Sequence, residues 1–224
     1  MRGKLIAIEG TDCSGKATQS KMLVERLNKE GIKTEYFDFP AYDTPTGKII
    51  GGPYLGKSYI CEGWFPETAP KVDPKVSSLY YAADRKYNIY RVNDLLEQGI
   101  NVVLDRYFYS NMGHQASKIA DKKKRYEMYK WVEKLEIELL ELPVPDLKVF
   151  IHMPYDVSVV IRKIRKEAFD QNEVNKEHLM HAEKAYLEIA SLYQFQTIEC
   201  VKDNEILSVD DINDQLYEYI KEQL

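Results

Sequence analysis

Lys16 closes the run Gly10-Thr11-Asp12-Cys13-Ser14-Gly15-Lys16, in which four residues separate two glycines and a cation follows at once. Glycines at that spacing let the backbone fold into a tight nest whose N–H groups point inward, the shape that receives a phosphate. The spacing predicts that Gly10, Thr11, Asp12, Cys13, Ser14 and Gly15 wrap the phosphates of a nucleotide, with Lys16 reaching the β- and γ-phosphates. A short apolar run, Leu5-Ile6-Ala7-Ile8, stands before the loop and a helical pattern begins near Ala17. The strand and helix that such a cradle needs are therefore in place, and the helix adds the positive end of its dipole. One position breaks the pattern. The residue after the lysine is Ala17, without the hydroxyl that usually holds Mg²⁺, and Thr18 follows one place later.

Other residues with chemistry stand where strands and helices would deliver them. Asp105 ends an apolar strand, as a Mg²⁺-holding carboxylate does, often through water; capping the next helix is the alternative. Arg106 beside it carries a planar fork suited to phosphate, or to a surface ion pair. Tyr81 and Arg85 lie one helical turn apart. They suit either a platform for a planar base or a cation–π pair on a solvated face. Arg162 and Arg165 lie in a basic helix, where a mobile arginine could meet the charge of a transferring phosphoryl group, or simply face water. Cys13 reads as a small tolerated side chain rather than a reactive thiol. His178 and His181 read as surface histidines rather than a metal site, since no set of three ligands accompanies them.

These residues need a scaffold. Strands are expected over Lys4–Glu9, Lys33–Phe39, Asn101–Leu104, Asp146–His152 and Thr197–Val201. Helices are expected over Lys16–Glu30, Pro74–Gln98, Tyr107–Leu142 in two pieces, Tyr155–Glu167, Asn175–Tyr193 and Ser208–Leu224. Asp73-Pro74 marks a helix start, and Ser208 with Asp211 forms a start like a capping box. Residues 41–74 are rich in glycine and proline and read as loop with at most a short helix near Thr46. In the long helix, Val76, Leu79, Tyr80, Ala83, Tyr87 and Tyr90 share one stripe, expected to face the core. Ser78, Tyr81, Arg85 and Asn88 lie opposite. Strands alternating with helices predict an α/β chain with a five-stranded parallel sheet flanked by helices on both faces, as in the P-loop NTPase fold. One domain over 1–224 is expected, with no repeat and no long polar linker. Ligands in such sheets bind beyond the carboxyl ends of the strands. The loop, Phe39-Pro40-Ala41-Tyr42 and Asp105-Arg106-Tyr107 should therefore converge on one crevice.

Composition narrows the partners. The chain has 224 residues, a hydrophobic share of 44% and a net charge of −5. That balance argues against binding a nucleic-acid polymer, which needs clustered lysine and arginine. The three cysteines, Cys13, Cys61 and Cys200, form no disulfide framework and no zinc spacing, which suits a reducing cytoplasm. No signal-peptide pattern opens the sequence and no apolar run approaches the ~20 residues of a membrane span.

With these residues in hand, the chain resembles the thymidylate kinases among the P-loop nucleoside monophosphate kinases, over nearly its whole length. The resemblance rests on Glu9 to Gln19, on Phe39-Pro40-Ala41-Tyr42, on Leu79-Tyr80-Tyr81-Ala82-Ala83-Asp84-Arg85, and on Asp105 to Gln115. It implies ATP with Mg²⁺, dTMP as the acceptor, and a homodimer. It implies that Asp12 faces the acceptor near its sugar and phosphate, and that Tyr42 and Arg106 hold that phosphate, with Phe39 beside them. Tyr81 would stack on the base, Arg85 would bond its edge, and Ser110 and Asn111 would line its pocket. The loop carries no arginine at Cys13 or Ser14, which implies a catalytic arginine from a lid near 155–175, Arg162 or Arg165. Three features depart from the family pattern. Ala17 leaves the metal to Asp105, water and the phosphates. His114 stands where a tyrosine commonly packs under the deoxyribose. The segment from Gly51 to Val72 is long. A kinase for another nucleoside monophosphate and a nucleotide-binding protein with little turnover are the alternatives.

Overall fold

The run Leu5-Ile6-Ala7-Ile8 is apolar at every position, which suits a strand covered on both faces. The computed structural model describes residues 2–162 and 175–224. In it that run belongs to β1 (Leu5–Gly10), and every residue of the strand is buried. The other strands of the sheet are β2 (Thr34–Asp38), β3 (Asn101–Asp105), β4 (Leu147–His152) and β5 (Gln196–Glu199). They form a five-stranded sheet in the order β2-β3-β1-β4-β5. Every pairing is parallel, with Leu5 opposite Val102, Gly10 opposite Ile151 and Asp38 opposite Asp105. The helices are α1 (Lys16–Lys29), α2 (Pro45–Ile49), α3 (Pro74–Glu97), α4 (Phe108–Ala116), α5 (Lys122–Glu133), α6 (Tyr155–Arg162), α7 (Lys176–Leu192) and α8 (Val209–Gln223).

Side chains alternate across a sheet, and here they sort the core into two layers. Leu5, Ala7, Val102 and Leu104 pack with Val92 and Leu96 of α3, Met112 of α4, Tyr129 of α5 and Ile189 of α7. Ile6, Ile8, Val103, Val149 and Ile151 pack on the other face with Leu23 and Leu27 of α1 and Ile212 and Leu216 of α8. Asp73 caps α3, its carboxylate accepting from the amides of Lys75 and Val76 at 2.9 and 3.1 Å. Ser208 caps α8, accepting from the Asp211 amide at 3.0 Å and donating to the Asp211 carboxylate at 2.7 Å.

The long helix α3 is turned the other way from the expectation. Val76, Leu79, Tyr87 and Tyr90 are 40, 50, 54 and 60% exposed, and Ala83 is exposed too. Of that stripe only Tyr80 is covered in part, packed beside Tyr54. The buried face carries Ser78, Asp84, Arg85 and Asn88 together with Ala82, Ile89 and Val92. Periodicity shows which residues share a face; pairing decides whether a polar face can be buried. Here it can. Asp84 accepts from the Ala41 amide at 2.9 Å, the Thr46 hydroxyl at 2.7 Å and the Asn88 side chain at 3.0 Å.

Two segments hold more structure than expected. After α2 the chain continues as a π-helical turn, Ile50–Tyr54, and later makes a 3₁₀ turn, Ala69–Lys71. Ile50, Tyr54, Leu55, Ala69 and Val72 bury a small core of their own against Tyr42, Phe65, Tyr80 and Tyr81. After β5 the chain makes an antiparallel pair, β6 (Val201–Lys202) with β7 (Glu205–Ile206), rather than running straight through Val201.

Candidate active site

β1 ends at Gly10, and the chain passes over the sheet into α1. Cys13 and Gly15 take φ of 63° and 73°, the left-handed turns that draw successive N–H groups inward. A Cβ at Gly10 would stand 2.5 Å from the Ser14 hydroxyl and 2.9 Å from the Ile151 carbonyl oxygen. Only glycine lets the loop lie this close to β4. Thr11 ties the loop to the end of β4, its hydroxyl donating to the Met153 carbonyl and accepting from the Met153 amide, both at 2.8 Å. Lys16 is buried in the first turn of α1. Burial lowers the pKa of its ammonium and Arg106 adds to that, against the pull of Asp12, Asp105 and Glu9.

The three strand-end clusters do meet. Asp12, Lys16, Ala17, Thr18, Phe39, Tyr42, Tyr81, Arg85, Asp105, Arg106, Ser110, Asn111 and His114 line one cleft of about 770 Å³. Cys13 and Gly15 line it too, whereas the side chains of Thr11 and Ser14 turn away and are buried behind the loop. Ile161 brings the last turn of α6 to the same cleft. The side chain of Arg162, and Arg165 with the rest of 163–174, lie outside the described residues.

Each cation of the acceptor side is held by a partner. Arg85 is 2% exposed and Glu136, on a π-helical turn at Lys134–Leu139, is wholly buried. The Nε and Nη2 of Arg85 donate to the two Glu136 oxygens. Burial alone would lower the Arg85 pKa, but Glu136 outweighs it and raises it. Asn111 donates its amide to Glu136 at 2.8 Å and to the Ser78 carbonyl at 3.3 Å. Both partners accept, so the amide orientation is fixed, and the Asn111 carbonyl oxygen is left buried with no partner among the described residues. Arg106, at φ 68°, donates to Asp12 at 3.3 Å, Ser110 at 3.2 Å and the Tyr186 hydroxyl at 3.3 Å. Burial would lower its pKa; Tyr186, Asp12, Asp105 and Glu9 outweigh burial and raise it.

Asp105 does not cap α4. Tyr36 donates to one of its oxygens at 3.3 Å, and the other is buried without a partner among the described residues. The carboxylate that satisfies the start of α4 is Glu9 of the neighbouring strand. It accepts from the Tyr107 and Ser110 amides at 2.8 and 3.0 Å and from the Ser110 hydroxyl at 2.5 Å. Burial pushes its pKa up to about 7, against the pull of those bonds.

His178 is not a surface residue. It is buried and stacks on His114 with ring centroids 5.5 Å apart; His181 is exposed. The contact of His114 Nε2 with Arg106 Nη1 is 3.4 Å, and a guanidinium only donates. His114 therefore carries its proton on Nδ1 and donates to His178 Nε2 at 3.3 Å. His178 in turn faces the Ser117 hydroxyl with Nδ1 at 3.5 Å. Both rings are neutral: burial holds His114 well below its usual pKa and pushes His178 down to about 4. Among the described residues no group of three His, Cys, Asp or Glu side chains could hold a metal ion; Asp105 stands as a single carboxylate.

Glu9, Glu136, His178 and Tyr186 were not legible as site residues. Glu136 lies in a stretch of mixed charge, Glu133-Lys134-Leu135-Glu136-Ile137-Glu138, inside the helix expected over Tyr107–Leu142. The π-helical turn adds a residue and so rotates the face by about 100°, a shift that no local residue type announces.

The thymidylate kinase family model matches residues 8–211. The chain is 26% identical to a thymidylate kinase of Schizosaccharomyces pombe over 98% of its own length and 92% of that protein's. It is 29% identical to a thymidylate kinase of Brachyspira hyodysenteriae over 99% and 95%. The structure of thymidylate kinase from Candida albicans superposes with a TM-score of 0.72, at 26% identity over 99% of this chain and 92% of that one.

Proposed function

The chain belongs to the thymidylate kinase family, and from that premise we propose that it transfers the γ-phosphoryl group of ATP to dTMP. The observation that carries the choice of base is the pairing around Arg85. Thymine presents a ring N–H donor beside a carbonyl acceptor. Asn111 and Arg85 line the same cleft, and the Asn111 carbonyl oxygen has no partner among the described residues, which supports an acceptor and a donor for such an edge. Cytosine, with acceptor and donor exchanged, would leave both unmatched.

An oxygen of the dTMP phosphate attacks the γ-phosphorus as the bond to the β-phosphate oxygen breaks, giving dTDP and ADP. The acceptor phosphate is already ionised, so no general base is needed, and catalysis is positioning plus charge neutralisation. The nest amides and Lys16 hold the donor phosphates. Arg106, steadied by Asp12, faces the acceptor phosphate. Bound Mg²⁺ would supply further neutralisation; Asp105, which lines the cleft, is the group that would hold it, directly or through water, since Ala17 offers no hydroxyl. A lid arginine, Arg162 or Arg165, would complete the charge set.

The exposed stripe Leu79, Ala83, Tyr87 and Tyr90 supports a homodimer packed through α3; sedimentation of Leu79→Glu as a dimer would sink that reading. Cys13, Cys61 and Cys200 are free, which supports a cytoplasmic setting; a disulfide in the protein isolated from cells would contradict it. Among the described residues no helix is long and apolar enough to cross a membrane.

The test is a panel of nucleoside monophosphates in an ADP-coupled assay with ATP and Mg²⁺. The highest kcat/KM is expected for dTMP, less for dUMP and least for dCMP. No turnover with any monophosphate, or a preference for dCMP, overturns the assignment.

A further inference from the structure

The segment between α2 and α3 supports one wall of the cleft. The 50–61 turn brings Leu55 to it, and Tyr42 and Tyr81, which line it too, pack on the small core that Tyr54, Leu55, Ala69 and Val72 help to form. The Tyr81 and Tyr54 rings meet edge to face, with centroids 5.8 Å apart. Another wall is α4, with Asn111, His114 and Gln115. Strand order fixes which half of the cleft these walls serve. β3 lies between β1 and β2, so Arg106 at the end of β3 stands between the phosphate loop and Tyr42, which follows β2. The walls therefore belong to the acceptor side.

Lys118 joins the two walls. It stands just after α4, its amide donating to the Gln115 carbonyl at 3.3 Å. Its ammonium donates to the Ala69 and Val72 carbonyls, both at 2.9 Å, to the Ser77 hydroxyl at 3.1 Å and to the Tyr54 hydroxyl at 3.4 Å. Both hydroxyls spend their protons elsewhere, Tyr54 on the Ala69 carbonyl at 3.2 Å and Ser77 on the Asp73 carbonyl at 3.1 Å. Each therefore turns a lone pair to Lys118, and the four oxygens make a cage with no proton of its own to offer. An ammonium donates and cannot accept, which suits it to that cage. Emptied of its cation, the cage would leave four oxygens facing one another, at the cost of unmade hydrogen bonds.

We propose that Lys118 is a positioning residue for the acceptor nucleotide: its ammonium fastens the 54–72 segment to the end of α4 and so holds Tyr42 and Tyr81 at the cleft. The proposal rests on the kinase reading for its choice of ligand. Hydrogen bonds from a charged donor are worth about tenfold to a hundredfold in an equilibrium. A chain whose segment is docked for only a fraction of the time loses affinity by that fraction. The ATP cradle, built on β1 and α1, does not rest on this segment and keeps its affinity.

The test uses two variants of the full chain. Lys118→Met keeps the apolar stem and removes the charge; Lys118→Ala opens the cage to a small cation. Calorimetry at about pH 6 keeps the wild-type lysine charged, since burial pushes its pKa down to about 7 against the pull of Asp73. In Lys118→Met the dTMP Kd should rise by about tenfold while the ADP Kd stays unchanged, and hydrogen exchange of the unliganded chain should quicken in residues 54–72 but not in α1. In Lys118→Ala, ammonium chloride should restore dTMP binding where tetramethylammonium chloride, which has no N–H, does not. An unchanged dTMP Kd overturns the role. A parallel rise for dTMP and ADP overturns it too, marking Lys118 as a support of the fold as a whole. Equal action of the two salts also overturns it, because the rescue is then one of ionic strength. Because the readout is binding, a wild type that binds dTMP without phosphorylating it refutes the kinase reading and leaves the Lys118 comparison decided on its own.

Discussion

The two halves of the cleft are built from different materials. The ATP half is backbone: one continuous loop whose left-handed residues, Cys13 and Gly15, and whose close approach at Gly10 turn amides toward a phosphate. The acceptor half is side chains, delivered by β2, α3, α4, the 50–61 turn and the π-helical turn at Lys134–Leu139. The backbone half holds its shape through glycine geometry and through ties to the sheet such as Thr11 to Met153. The side-chain half holds its shape through paired charge, Arg85 on Glu136, both buried, and Arg106 on Asp12, both half-buried. A backbone site survives changes in most of its side chains. A site of paired charges fails when one partner goes, because the other is left buried and alone.

That contrast sets the largest expected effect. Glu136→Ala should cost about 3–5 kcal/mol of stability, the penalty of stranding a buried cation, and should weaken dTMP binding as Arg85 and Asn111 lose their anchor. Denaturant unfolding measures the first and calorimetry the second. The double substitution Arg85→Met with Glu136→Leu should recover much of the stability and none of the binding. A Glu136→Ala protein as stable as the wild type would break the contrast. Next comes Lys16→Ala on the backbone half. It should lower kcat by about a hundredfold to a thousandfold, as when one preorganised donor is removed, with no loss of stability, since relief of a buried ammonium offsets lost contacts. A fall in the unfolding midpoint comparable with that of Glu136→Ala would show that the two halves are held in the same way.

The same contrast explains what could be read from the sequence. The phosphate loop, the five parallel strands and their convergence on one crevice were legible, because each is written in contiguous residues of fixed spacing. The caps at Asp73 and Ser208 were legible for the same reason. The orientation of α3 was not. Its apolar residues do fall in one stripe, but Asp84 and Arg85 find partners at Ala41, Thr46 and Glu136, distant in sequence. Those pairings make the polar face the one that can be buried. His178 was misplaced on the surface and Glu136 was not singled out at all, because nothing local distinguishes a stacked buried ring, or a paired buried charge, from a solvated one. Residues 51–72 read as loop because Gly51, Gly52 and Pro53 are poor helix formers; a small apolar core under Tyr81 overrides that preference.

The smallest effect is expected at the seam between the halves, as a change of slope rather than of level. Glu9 ends the strand that carries the phosphate loop, yet its bonds go to Tyr107 and Ser110 of the acceptor half. Burial raises its pKa from the ordinary 4.5 to about 7. Between those values the folded chain holds a proton that the unfolded chain has released, so Glu9 favours folding below pH 4.5 and loses that contribution as pH rises to 7. Glu9→Gln keeps a carbonyl for the two amides and lets the Ser110 hydroxyl turn to accept, and it cannot titrate. The stability of the wild type minus that of the variant should therefore fall steadily across pH 4.5–7 and be flat above it. His178, pushed down to about 4, tilts stability the opposite way over pH 4–6.5, but it does so in both proteins and cancels in the difference. Parallel curves would mean that Glu9 stays ionised behind the loop. Arg106 would then be held by a third carboxylate besides Asp12 and Asp105, and the acceptor half would reach further into the backbone half than its hydrogen bonds suggest.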